Sequence, residues 1–140
     1  MKRQVIILIM SCQAHRSTRQ QAIRETWARH VDASQRIYFV EGGHRSNTLV
    51  ADCIQLTVGD SYEDLAEKSF RALAFVLDSL ECDGLIKCDD DTYLDCPRLA
   101  QASAQFGDYR GNPVDSQTQF QRYAQGGCYW LSRRAMEAVV

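Results

Sequence analysis

Three aspartates stand together in this chain, Asp89-Asp90-Asp91, after the stretch Gly84-Leu85-Ile86-Lys87-Cys88 and ahead of Thr92-Tyr93-Leu94. Adjacent carboxylates repel one another. At the end of a buried strand that repulsion costs stability until a cation offsets it. Hard divalent cations such as Mg²⁺ and Mn²⁺ take oxygen ligands and often hold substrate phosphates in their remaining positions. The triplet is therefore the first place to look for chemistry, and a metal-assisted phosphate site is what it suggests. A solvated acidic turn is the plain alternative, against which the apolar lead-in argues for a strand end.

A metal on one or two carboxylates is half of a phosphate site, because the anion also wants cations. Arg16, Arg19 and Arg24 cluster around the first helical segment. Arg19 falls in its first turn, where free N–H groups already favour an anion, so it is the better candidate; Arg16 and Arg24 read either as further anion contacts or as a solvated basic face. Lys87 screens the carboxylates and Lys68 faces water in the simplest reading. His15 reads as a surface-loop histidine and Trp27, beside Ile23, as core. Gly126-Gly127, ahead of Cys128-Tyr129-Trp130, lets a ligand approach the backbone closely or simply turns the chain into a strand.

The elements that must position these groups follow from periodicity. Val5 to Met10 is a continuous apolar run, as expected for a strand covered on both faces. Ser17 with Gln20 resembles a capping box, and Ala22, Ile23, Thr26 and Trp27 continue at helical spacing to about His30. Arg36 to Val40 predicts a second strand stopped by Gly42-Gly43, and Cys53 to Val58 a short third. Asp60 with Glu63 marks another helix start. Leu65, Ser69, Ala72, Leu73, Val76, Leu77 and Leu80 then form one face of a long helix. Gly84 to Cys88 leads into the triplet, and Pro97 opens a helix with Leu99 and Ala102. Gly107 to Gln125 is polar and without a period, which predicts a loop over the site holding Asp108 and Asp115. Cys128 to Leu131 reads as a last strand, with Ser132 capping a final helix.

Strands alternating with helices predict one α/β domain over residues 1–140 with a mostly parallel sheet flanked by helices. Ligands in such sheets sit outside the carboxyl ends of the strands. The loop Ser11 to Arg19 and the triplet would share that rim. The composition is that of a soluble globular protein, with 45% hydrophobic and 24% charged residues. A formal net charge of -2 without a basic block leaves nucleic acid without an obvious footing. No apolar run is long enough to span a bilayer. The six cysteines lack a CxxC pair, which speaks against a zinc site. With no export signal, reduced thiols and a cytoplasmic location are expected, with a place at the periphery of a membrane as the other option.

Three motifs in order then carry a resemblance. His15-Arg16-Ser17-Thr18-Arg19 with Glu25-Thr26-Trp27, Asp89-Asp90-Asp91-Thr92-Tyr93, and Arg122-Tyr123-Ala124-Gln125-Gly126-Gly127 resemble the Fringe and β-1,3-galactosyltransferase family of inverting glycosyltransferases. Lys68 and Ser132 also fall where that family tends to have them. The resemblance runs from about Val5 to Val140. It implies a GT-A-like (Rossmann-like) fold, a UDP-sugar donor, a glycan, glycolipid or protein acceptor, and Mn²⁺ or Mg²⁺. By matching positions, Asp91 of the Asp-x-Asp motif would be the metal ligand. Asp90, Asp89, Arg19, Gly126 and Gly127 would form the donor site. Cys128 stands where the family has a small residue or glycine. The family's general base and a histidine ligand lie beyond the position of Val140, so the fold is expected to be incomplete at its C-terminal side. No catalytic base is named.

The resemblance implies a hexosyltransferase that moves a sugar from a UDP-sugar to an acceptor hydroxyl with inversion. One alternative is a nucleotide-sugar-binding module without turnover. Another is a haloacid-dehalogenase-type phosphatase, since Asp89-x-Asp91 after a strand resembles its nucleophile and acid. Tyr93 departs from the threonine or valine expected there.

Overall fold

The computed structural model describes residues 2–115 and 122–140. Seven strands form one sheet: β1 (Val5–Met10), β2 (Gln35–Glu41), β3 (Thr48–Val50), β4 (Cys53–Gln55), β5 (Gly84–Asp89), β6 (Tyr109–Asp115) and β7 (Arg122–Ser132). Their order is β3-β4-β2-β1-β5-β7-β6. The parallel sheet expected from the sequence is realised in the centre, where β4, β2, β1 and β5 pair in parallel. The outer pairings of β3 with β4, β5 with β7 and β7 with β6 are antiparallel. The result is a mixed sheet around a parallel core.

β1 is buried at every residue and alternates between two apolar layers. Ile6, Leu8 and Met10 meet Ala72, Leu73 and Val76 of α2 (Leu65–Ser79) and Met136 of α4 (Arg133–Val139). Val5, Ile7 and Ile9 face Ile23 of α1 (Gln21–Glu25), Trp27, and Cys96 of α3 (Cys96–Ala102). A continuous apolar run is what a strand covered on both faces requires. Pro97 opens α3, whose cap is the Asp95 carboxylate accepting from Arg98 N. Ser132 caps α4 by accepting from Ala135 N, as its sequence position predicts. Gly84 has no room for a side chain: a Cβ there would sit 2.4 Å from the Trp130 ring. All six cysteines are free thiols.

Several expectations change. Gly107 to Gln125 is not a loop: β6 and the first half of β7 form an antiparallel ribbon with a bulge between Gly111 and Pro113, and residues 116–121 lie outside the described residues. The ribbon is exposed over most of its length, so it carries no alternation, and its glycines and proline read as breakers. The Ser17–Gln20 capping box is absent. Helical turns begin at Gln13, pass through a wide π turn at Arg16–Gln20, and turn Gln20 inward to 1% exposure. The start of α2 also shifts. Asp64 is its N-cap and accepts from Ser61 N and Oγ, while Asp60 is taken by other partners. Among the described residues, no helix is long and apolar enough to cross a membrane.

Candidate functional site

Because β1 and β5 run in parallel with Met10 beside Asp89, the residues following both strands leave the sheet at the same rim. There Ser11, Cys12, His15, Arg19, Asp60, Tyr62, Lys68 and the triplet line an open cleft of about 260 Å³. The triplet divides three ways. Asp90 is buried, Asp89 is partly exposed and Asp91 is open to solvent.

The Asp90 carboxylate is fully engaged. Its Oδ2 accepts from Ser11 Oγ at 2.8 Å and meets His15 Nδ1 at 2.7 Å. Its Oδ1 accepts from Arg19 Nη1 at 2.9 Å. Burial pushes the group up, but Arg19, His15 and Ser11 together hold it below the usual carboxylate range. Asp90 in turn raises the guanidinium of Arg19. The middle aspartate thus fixes two side chains at the lip of the cleft.

Behind it lies a buried polar relay. Gln20 Nε2 reaches Ser11 Oγ at 3.1 Å and Glu41 Oε1 at 2.8 Å. Glu41, at the end of β2, also holds Arg16 in a bidentate pair and His44 Nε2 at 3.1 Å. Arg16 therefore serves the scaffold, as does Arg24, which pairs with Asp52 and covers the Phe39 ring. Arg19 is the arginine of the three that lines the cleft.

Lys68 overturns its expected solvent-facing place. It is 3% exposed and lies under the cleft. Its Nζ donates to Ser11 O at 2.8 Å and to Asp60 Oδ1 at 2.9 Å. An ammonium has three donors, so one N–H remains beyond these partners. Asp60 also accepts from the backbone N–H groups of Gln13 and Gly42, both at 2.7 Å, which ties the β1 loop, the β2 end and α2 together. The helical spacing held the signal for Lys68: it sits three residues after Leu65 and four before Ala72, inside the apolar stripe. His15 ends a single helical turn, and Ser11 and Asp60 lie outside helices and strands, so periodicity is silent on all three.

Lys87 does screen the triplet, with Nζ 2.6 Å from Asp89 Oδ1. It also donates to Gly126 O at 2.6 Å, and Thr92 Oγ1 to Gly127 O at 3.1 Å. These bonds seat Gly126 and Gly127 beside the triplet, within β7 rather than in a turn. A Cβ at Gly126 would meet nothing within 4 Å, and one at Gly127 only Asp89 Oδ2 at 4.0 Å. The chain itself does not require glycine here, which leaves the open backbone face available to a ligand. Asp108 lies at the opposite end of the sheet, bonded to Ser132 Oγ at 2.7 Å and paired with Arg134. Asp115 pairs with Arg122 on the ribbon. Neither lines the cleft.

Among the described residues no three carboxylate, imidazole or thiol groups converge as a ready cage for a metal. Mg²⁺ and Mn²⁺ need less, since one or two carboxylates with substrate phosphates and water suffice. Asp91 fits that demand. It is exposed, and no donor among the described residues reaches its carboxylate. Asp89 adds the oxygen that Lys87 leaves free.

Comparison with known proteins now bears on this geometry. The sequence model described as galactosyltransferase matches residues 18–114, which include Arg19, Lys68 and the triplet. No curated protein gives a significant match. Among solved structures, the apo-form glycosyltransferase GlyE of Streptococcus pneumoniae is similar in fold, with a TM-score of 0.50 at 12% identity. The match covers 99% of this chain and 36% of that one, so this chain spans about a third of GlyE.

Proposed function

This chain belongs to the galactosyltransferase family of glycosyltransferases, and from that premise we propose that its cleft binds a UDP-sugar for metal-dependent, inverting transfer of the sugar to an acceptor hydroxyl. The observation that carries the reading is the meeting of Arg19, Lys68 and the exposed Asp91 carboxylate around one cleft at the carboxyl ends of β1 and β5. A nucleoside diphosphate needs that combination of cations and an oxygen donor for a metal.

Each residue then has a task. Arg19 and the remaining N–H of Lys68 face the diphosphate, where preorganised donors stabilise charge as it develops on the leaving group. Asp90 serves the donor by holding Arg19 and His15 in place. Gly126 and Gly127 let the donor lie close to β7. Asp91, with Asp89, would hold Mn²⁺ or Mg²⁺, which when bound offsets the negative charge of the diphosphate. The acceptor hydroxyl attacks the anomeric carbon from the face opposite UDP, and a base takes its proton.

The test is turnover. The protein is incubated with UDP-galactose, UDP-glucose or UDP-N-acetylglucosamine plus Mn²⁺, with and without a panel of sugar acceptors, and released UDP is measured. UDP release that Arg19→Ala abolishes supports the transferase. Tight UDP binding without release assigns a nucleotide-sugar-binding module instead. Rapid hydrolysis of a generic phosphate ester would contradict both.

A further inference from the structure

We propose that Cys88 and Cys128 are a disulfide-forming pair that reacts with small-molecule disulfides to link β5 to β7 beneath the donor cleft. The antiparallel register sets the two cysteines directly opposite each other. Both side chains belong to the apolar layer with Ile86, Leu94 and Trp130, so they point to the same side of the sheet. Directly opposed residues of an antiparallel pair carry Cβ atoms about 4.5–5.5 Å apart. A disulfide needs about 3.5–4.5 Å. The required approach is small, and β7 is the strand whose far half is exposed.

Accessibility orders the reaction. Cys88 is 0% exposed and Cys128 is only partly buried. The Cys128 thiolate attacks one sulfur of a disulfide such as oxidised glutathione, forming a mixed disulfide and expelling one thiol. The Cys88 sulfur then attacks Cys128 Sγ, forming the internal bond and expelling the second thiol. The two protein thiols lose two electrons and two protons, and the small disulfide gains them.

The position gives the link a consequence. Cys88 precedes Asp89 and Cys128 follows Gly126-Gly127; Lys87 already bridges Asp89 to Gly126 O, and Thr92 Oγ1 donates to Gly127 O. A covalent bond there fixes the spacing of the strands that carry the triplet and the glycines. Cys96 shares the same layer but sits on α3 rather than on a paired strand, so it is the competitor. This inference rests on strand register and not on the proposed activity.

The experiment treats the intact protein with oxidised glutathione at pH 8, followed by non-reducing peptide mapping, thiol titration and thermal melting. The expected result is a Cys88–Cys128 peptide, a mass loss of about 2 Da, loss of two of the six thiols, and a raised midpoint that dithiothreitol reverses. Cys96→Ala should still form the bond, and Cys128→Ser should not. A bond through Cys96, or a stable glutathione adduct at Cys128 with Cys88 still reduced, would overturn the proposal.

Discussion

Replacing Glu41 by glutamine tests the buried relay behind the cleft. Glu41 closes β2 with a carboxylate that is 1% exposed. Burial alone would raise its proton affinity, but Arg16, Gln20 and His44 outweigh it and hold the group at about 2 against an ordinary 4.5. A carboxylate depressed in the fold contributes stability above its unfolded value and loses it as pH falls through the folded one. Taken whole, that difference is worth about 3 kcal/mol at neutral pH. Arg16 is half-exposed, so solvent screens its share, and ~2 kcal/mol is the expected contribution. Glu41→Gln keeps the shape and an acceptor for Gln20 while removing the charge. Urea unfolding of both proteins at pH 7, 5 and 3 reads the effect. The variant should be less stable by ~2 kcal/mol at pH 7, with the gap closing as pH falls from about 4.5 toward 2. Equal stabilities at pH 7, or a gap that is undiminished in acid, would show that the Glu41 charge does not stabilise the fold.

Three other outcomes follow from the same geometry. Asp90→Asn removes the charge that holds Arg19 and His15, and should weaken UDP binding by about tenfold in calorimetry. Lys68→Met should weaken UDP by a similar factor of about ten while sparing uridine, which lacks phosphate; equal losses for both would make Lys68 a structural residue only. Gly84→Ala forces a methyl to within 2.4 Å of the Trp130 ring and 2.7 Å of Leu131 O. Denaturant melts should show a loss of ~2–3 kcal/mol.

Much of the scaffold was legible because it obeys local rules. The unbroken run of β1, the strand before the triplet, Pro97 at the start of α3 and Ser132 at the cap of α4 each carry their own signal, and Trp27 packs where its spacing with Ile23 predicts. The three-residue β3 is too short for a period. The β6–β7 ribbon hid because exposure on both faces removes alternation. At the site, the triplet and Arg19 could be picked out from charge, although Arg19 follows an earlier helical turn and does not sit at a helix start; the roles of their neighbours could not. Lys68, Asp60, Gln20 and Glu41 meet only after α2 and β2 pack against β1, so their pairings are tertiary facts. The middle aspartate shows the same limit: three identical residues in sequence acquire different surroundings from the pleat and the loop that follows β1.

The proposed function requires that Asp91 and the cations across the cleft form a metal-dependent site for a nucleoside diphosphate. Calorimetric titration of UDP into the wild-type protein in Mn²⁺ and again in EDTA, repeated for Asp91→Ala, tests it most directly. The expected result is saturable binding in Mn²⁺ that drops at least about tenfold in EDTA and equally in Asp91→Ala. Binding of the same strength in all these conditions, or none in any of them, would contradict it.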